Sequence, residues 1–459
     1  MIILPANTLS TGGFEVANSC RFNSADQARM NRDLVTATSR QKFTYSFWIK
    51  RCSLSQQFFV TNAGSTSHIK FDTNHKLDFM DEDGNIRYIT NRVFRDISAW
   101  YSIIIAVDTT QGTAGNRVKI YINGTQETSF STSTAPDQDY NCTFNTAVNF
   151  KYGSYDNDAD YNLDAYLAEV VFIDGTQYAN TDFGEFDEDS PQIWKPKDVS
   201  GLTFGTNGHY LDFEDSSNLG NDANGGTDWT EANLAATDQS TDTCTNNFAT
   251  WNSLISSNGS TSEGNVKYVT SNSSSNYGYR LSTIGVSSGM WYAEVKYTSS
   301  SNQAAIGIRS RNATSAAHQV GYYNDDYAIY VDGHYYNNNS ETTNSNASWT
   351  SGDIIGIYLD LDNNKLYFSK NGSLYSSTGI SITAAASTTT GFYFFSASEW
   401  NSSGDGTFEL NTGGSPSFSI TSSNTDGKYG NFEYSTTITG DGASKTFKAL
   451  NTKNLAEYG

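Results

Sequence analysis

Between Ser351 and Tyr375 the chain reads SGDIIGIYLDLDNNKLYFSKNGSLY, a pattern that admits few conformations. Ile355, Ile357 and Leu359 alternate with Ile354, Gly356, Tyr358 and Asp360, and a period of two places one set of side chains on each face of a strand. Asp362-Asn363-Asn364 supplies residues that tolerate turn geometry, and Leu366 and Phe368 resume the alternation on the return. Asn371-Gly372 makes a second turn. Both faces of the outgoing strand are apolar or aromatic, so the hairpin is expected to lie centrally in a sheet covered on both sides, as in a sandwich.

The same plan occurs earlier. Trp100–Val107 (WYSIIIAV) is apolar on both faces and runs into Asp108, as the strand after Trp349 runs into Asp360. Each is followed by a polar loop and a returning strand that closes on Asn-Gly, at Asn123-Gly124 and at Asn371-Gly372. With 459 residues the chain exceeds what one core serves, since cores stop growing at about 250–300 residues. Two related sandwiches are therefore expected. Low hydrophobicity (37%) and a net charge of −21 would suit disorder, but 14% aromatic residues mark a chain that folds.

That charge argues against nucleic acid or an anionic membrane surface as partner, because phosphate binding rests on Lys and Arg. No run of about 18 apolar residues exists, so membrane insertion is not expected. MIILPANTLS has no basic region before its apolar residues and does not read as a secretory signal. Cys20, Cys52, Cys142 and Cys244 lack metal-ligand spacing. They allow three disulfide connectivities, and buried free thiols are the preferred reading.

The stretches FTYSFWIK (43–50), WYSIIIAVD (100–108) and NRVKIYINGTQ (116–126) resemble LamG-like modules of the concanavalin A-like lectin/glucanase type. A version found in proteins of bacterial, often marine, viruses is similar also at LDAYLAEVVFIDGTQY (163–178) and at Trp194-Lys195-Pro196-Lys197. In the second half, the pattern of Gly352, Asp353, Ile355, Gly356, Asp360, Phe368, Asn371 and Gly372 resembles the segment by which a SPRY domain is recognised. MWYAEVKY (290–297) and AAIGI (304–308) resemble its early strands. DTCTNNFATW (242–251) and FKALNTKNL (447–455) resemble the link and tail of the viral proteins, with Cys244 standing where relatives usually carry proline.

The resulting expectation is an all-β chain of two concanavalin-like antiparallel β-sandwiches (jelly rolls). Residues 1–200 form the LamG-like domain, 201–253 an extended connector rich in Asp, Asn, Thr and Gly, 254–414 the SPRY-like sandwich, and 415–459 a set of tail strands.

Glucanases of this fold pair carboxylates on one strand. The nearest pattern here, Glu185-Phe-Asp187-Glu188-Asp189, lacks the final Glu and lies among turn residues near Pro191, so a glycan-degrading enzyme is the alternative rather than the main expectation. Asp156, Asp158 and Asp160 have the alternating spacing that begins a calcium loop. Tyr161 and Leu167 stand where Gly and a bidentate Glu belong, which leaves a possible structural calcium against an ordinary acidic turn. In GYYNDDYAIYVDGHYYNNN (321–339), Tyr327, Ile329 and Val331 alternate as strand residues do. Tyr335, Tyr336 and Trp400 lie in loop-like surroundings and are the candidate ligand-binding aromatics, because ring faces stack on sugars while neighbouring amides and carboxylates bind hydroxyls.

Taken with the resemblance, these readings imply a non-enzymatic virion protein, a tail fibre, appendage or capsid decoration made in the host cytoplasm. Its expected partners are host-surface glycans and other virion proteins, with homo-oligomers supplying avidity.

Overall fold

The computed structural model describes residues 13–64, 66–155, 161–255, 258–271, 278–299, 303–311, 318–342, 348–399 and 405–459. The fold is all-β, apart from short 3-10 turns and one α-helix, Thr452–Tyr458, among the described residues. The chain divides into two compact units that meet between Thr245 and Asn246.

The first unit is a sandwich of two eight-stranded sheets. In one, Lys42–Arg51 lies between Tyr101–Asp108 and Ala165–Asp174, with Val118–Ile122 and Ser19–Phe22 further out. The other runs from Phe130–Thr134 through Ile86–Val93, Lys76–Asp81, His68–Phe71, Gln57–Asn62, Asn149–Tyr152 and Arg29–Asp33 to Thr230–Ala232. The period of two decides what lies between the sheets. Phe43, Tyr45, Phe47 and Ile49 all point into this core, where Phe47 stacks on Phe59 at 3.7 Å and Tyr45 meets Phe172 at 4.4 Å.

The opposite face of the first sheet is also covered. Trp48, Ile104, Tyr166 and Val171 pack beneath Phe183, Trp194, Val199 and Phe204. Trp194 lies where a Cβ on Gly124 would fall, 2.1 Å from a ring carbon, and Gly124 has φ +75°. The Asn-Gly turn is thus required twice, for its left-handed backbone and for the close approach of the indole.

The stretch 201–253, expected to be an extended connector, is instead woven into the first unit up to Thr245. His209–Leu211 pairs with Ala165–Asp174, Thr230–Ala232 with Arg29–Asp33, and Gln239–Ser240 with Ser19–Phe22. Leu211, Phe213, Leu219 and Trp229 enter the inter-sheet core. Its Asp residues are structural: Asp222 accepts backbone N–H groups from Tyr210 and Asn224 and lies 3.5 Å from Arg32. Asp242 is buried, 2.7 Å from Lys50 Nζ, and accepts the Trp100 indole N–H at 3.0 Å. Strands of two or three residues leave no periodicity to read, which is why the stretch resembles linker.

The second unit is a sandwich of a nine-stranded and a six-stranded sheet. Met290–Thr298 and Ile354–Asp360 are central in the larger, and Lys365–Lys370 completes the hairpin in the register Ile355↔Lys370 to Asp360↔Lys365. Ile355, Ile357, Leu359, Leu366 and Phe368 enter the core, while Tyr358 lies on the outer face. Asn364 has φ +53°, and Asn371 Oδ1 accepts the Ile354 N–H at 2.8 Å.

The tail strands belong to this unit. Phe432, Phe447 and Ala449 pack with Phe248, Tyr292, Tyr358 and Tyr367 over the outer face of the larger sheet. Lys448–Ala449 adds a parallel pairing to Met290–Thr298. Glu294, fully buried, accepts the backbone N–H groups of Glu433 (3.0 Å) and Tyr434 (2.7 Å), the Asn411 amide (3.0 Å) and the Tyr292 hydroxyl (3.1 Å). Burial pushes its carboxyl up to about 7, although these donors pull the other way.

Candidate functional site

In the six-stranded sheet of the second unit, Ala304–Arg309 and Asp326–Tyr330 are neighbours, continued by Tyr335–Asn337 and Ser340–Thr342. Ile306, Ile308, Tyr327 and Ile329 face the core; Ala305, Arg309, Asp326, Ala328 and Tyr330 belong to the alternate set. Adjacent residues of one strand separate in the same way. Tyr335 faces inward, 5% exposed, 5.7 Å from Phe368. Tyr336 faces outward and stacks on Tyr330 at 3.7 Å with the rings 14° apart. Of the two candidate tyrosines only Tyr336 remains on a surface; Tyr335 is a core residue because the segment is a strand rather than a loop. Trp400, Asp156, Asp158 and Asp160 lie outside the described residues.

Arg309 organises the surface around Tyr336. Its guanidinium, fully buried, pairs with Asp326 at 2.7 Å and donates to the His318 and Gln319 carbonyls at 2.9 and 2.8 Å. This draws residues 318–320 over the outer face, where Val320 is buried and donates its N–H to Ser398 Oγ. Above it, His318 stacks on Tyr322 at 3.6 Å, and Tyr323 presents an edge to both rings. Arg311 lies over the Tyr323 ring at 4.1 Å and is held by Asp325 at 3.2 Å. Burial, with Arg309 nearby, holds the His318 imidazole below its ordinary pKa, so the ring is neutral at pH 7.

The Tyr336 turn is tied to this group. Asn337 donates to the Asn324 and Asp326 carbonyls, and Asn338 and Asn339 donate backbone N–H groups to Tyr323 and Gly321. The Tyr336 hydroxyl reaches Glu341, which also pairs with His334. His318, Tyr322, Tyr323, Arg311 and Tyr336 form one half-buried aromatic and polar surface on a rigid sheet. It offers ring faces with amide and carboxylate edges, suited to apolar and hydroxyl-bearing groups. Sequence reasoning passed over His318 and Arg311; their only local signal is the alternation that puts Arg309 and Arg311 on one side of AAIGIRSR.

A second polar cluster lies on the outer face of the first unit's second sheet. Asp78, buried, pairs with Arg87 at 3.0 Å and has Lys70 and His68 within 3.8 Å. Burial raises the Asp78 carboxyl, but His68 and Arg87 outweigh it and hold it below its ordinary value. Phe58 beside them carries Tyr155, Tyr161, His68 and Lys70 around its ring.

In the carboxylate run near Pro191, Glu185 lies on the short strand Gly184–Phe186 and residues 187–190 form a turn. Asp187 accepts the N–H groups of Asp189 and Ser190 and pairs with Lys195 at 3.1 Å, while Glu185 meets Lys197 at 3.7 Å on the surface. Among the described residues no group of three or more His, Cys, Asp or Glu could hold a metal, and no helix is long and apolar enough to cross a membrane. All four cysteines are buried free thiols, as expected.

Residues 22–179 match the family model of the concanavalin A-like lectin/glucanases superfamily, and residues 289–411 match that of the SPRY domain. The chain thus carries a LamG/concanavalin A-like domain followed by a SPRY domain. No curated protein matches the chain. Among solved structures, the SPRY domain of human HERC1 is similar at 19% identity, covering 31% of this chain and 86% of its own, with a TM-score of 0.26. A Bacteroides ovatus protein, provisionally described as carbohydrate-binding, is 16% identical, with coverage of 48% and 58% and a TM-score of 0.34. The heptameric SAP-like pentraxin of Limulus polyphemus is 10% identical, with coverage of 35% and 77% and a TM-score of 0.27.

Proposed function

We propose that this chain is a non-enzymatic structural protein of a bacterial virus, a fibre, appendage or capsid decoration, whose sandwiches engage host-surface glycans or neighbouring virion proteins. The observation that carries the binding role is the surface of His318, Tyr322, Tyr323 and Tyr336. Its rings are fixed from below by Arg309, and its polar groups hold one another rather than forming a nucleophile and base. The viral assignment is supported by the resemblance of the link at 242–251 and the tail at 447–455, segments outside both family matches. A half-buried aromatic surface encloses little of a sugar, so single-site affinity is weak and many copies on one particle supply avidity.

The test is a glycan array and host-cell binding with the multimerised full chain, beside Tyr322→Ala and Tyr336→Ala. Loss of binding in both variants is the expected result; undiminished binding rejects the surface. Release of reducing sugar from a bound polysaccharide would favour the glycan-degrading alternative.

A further inference from the structure

The ends of a sheet present unpaired backbone N–H and C=O groups, and proteins keep such edges short, charged or covered. Among the described residues this chain follows that rule at seven of the eight ends of its four large sheets. In the first unit, Thr125–Gln126 and Gln239–Ser240 have two residues each and Thr230–Ala232 has three. In the second, Ser373–Leu374 has two, Ser260–Ser262 and Ser340–Thr342 have three, and the four-residue Gly278–Leu281 is buried. The eighth, Phe130–Thr134, is five residues long and largely exposed. It pairs on one side with Ile86–Val93, and its outward backbone groups meet no other described residue.

Its composition lacks the usual protection as well. From Thr128 to Pro136 the sequence TSFSTSTAP carries no charge, in a chain of net charge −21, and the first proline comes after the strand has ended. A bulge between Phe130 and Thr132 interrupts only its start, and Thr132, Ser133 and Thr134 follow in regular register with Ile89, Tyr88 and Arg87. Phe130 is anchored inward against Tyr88 at 5.2 Å, which fixes the strand in place.

We propose that Phe130–Thr134 pairs with the same strand of a second copy, antiparallel and across a two-fold axis, joining two eight-stranded sheets into one. Self-pairing favours a second copy over an unrelated partner for two reasons. An antiparallel pair of identical strands is self-complementary, so the two-fold satisfies both edges at once. Thr and Ser then face Thr and Ser, a favourable cross-strand combination. Two chains of −21 repel each other, and an uncharged edge is where they approach at least electrostatic expense. Added salt therefore strengthens this dimer, because it screens the remaining repulsion.

The experiment is sedimentation velocity on the full chain from about 1 to 100 µM, at low and at physiological salt, with hydrogen exchange at both ends of the range. The expected result is a monomer–dimer equilibrium that tightens with salt, with amides of residues 131–134 exchanging more slowly at high concentration. Ser133→Lys, which places a positive charge on each copy's edge beside the two-fold, weakens the dimer at least about tenfold. Thr125→Lys, on an edge of the other sheet, leaves it unchanged, and circular dichroism confirms that both variants fold. A monomer throughout overturns the proposal. So does a dimer whose 131–134 exchange ignores concentration or which Ser133→Lys leaves intact. A negative glycan array leaves this proposal standing.

Discussion

Replacing Asp242 by alanine tests whether the stretch after residue 200 is part of the first unit. The carboxylate lies 2.7 Å from Lys50 Nζ and 3.0 Å from the Trp100 indole nitrogen, and the Lys50 and Asp242 side chains are 1% and 3% exposed. Truncation leaves the ammonium buried without this counter-charge, a change that destabilises by about 3–5 kcal/mol. The orphaned indole N–H acts in the same direction, though not additively. With a urea dependence of about 3 kcal/mol/M for a unit of this size, the midpoint falls by about 1–2 M. Hydrogen exchange of peptides from Lys42–Arg51, followed through urea in the full chain, reports this unit separately from the other. The double change Lys50→Met with Asp242→Leu, which removes both charges, recovers most of the loss. A midpoint shift under about 0.3 M for Asp242→Ala would refute the argument, since a connector residue has no such hold on the sandwich.

Four further outcomes are expected. Glu294→Gln places an amide N–H₂ against backbone donors of Glu433 or Tyr434 and lowers the melting temperature of the second unit by the equivalent of about 1–3 kcal/mol. In the parent, the Glu294 carboxyl stands at about 7 against an ordinary 4.5. Its contribution is therefore fully present below pH 4.5 and lost as pH rises through 7, and a pH series of melting temperatures should lose that slope in the variant. Gly124→Ala strains a left-handed turn and displaces Trp194, destabilising the first unit by more than about 2 kcal/mol in urea unfolding. If Asp156, Asp158 and Asp160 hold calcium, chelator lowers the melting temperature and calcium restores it; an unchanged value leaves an acidic turn.

Several strands were legible because a period of two ran for four or more residues. Phe43, Tyr45, Phe47 and Ile49 in one unit and Ile355, Ile357 and Leu359 in the other all face the cores that their alternation implies. What escaped was structure whose partner is distant and whose own run is short. Trp229 and Leu219 enter a core from a stretch that reads as polar linker, because three-residue strands cannot show alternation. The candidate site failed by one position: Tyr335 and Tyr336 are neighbours in sequence, and a single strand sends one to the core and the other to the surface. Arg309 as the clamp of that surface was beyond reach, since besides Asp326 it holds the backbone carbonyls of His318 and Gln319, which composition does not reveal.

The pairing of Ser19–Phe22 with Gln239–Ser240, and of Lys50 with Asp242, has a consequence during synthesis. A ribosome delivers about 5–20 residues per second, so the acceptor for Lys50 emerges about 10–40 seconds after it. Until then Ser19–Phe22 lacks its outer neighbour and Lys50 and the Trp100 indole lack their carboxylate, while most of both sheets is already available. The first unit's last edge pairing and its buried Lys50–Asp242 pair therefore form only after residue 242 has emerged. Elongation past residue 200 thus completes the unit's last pairings.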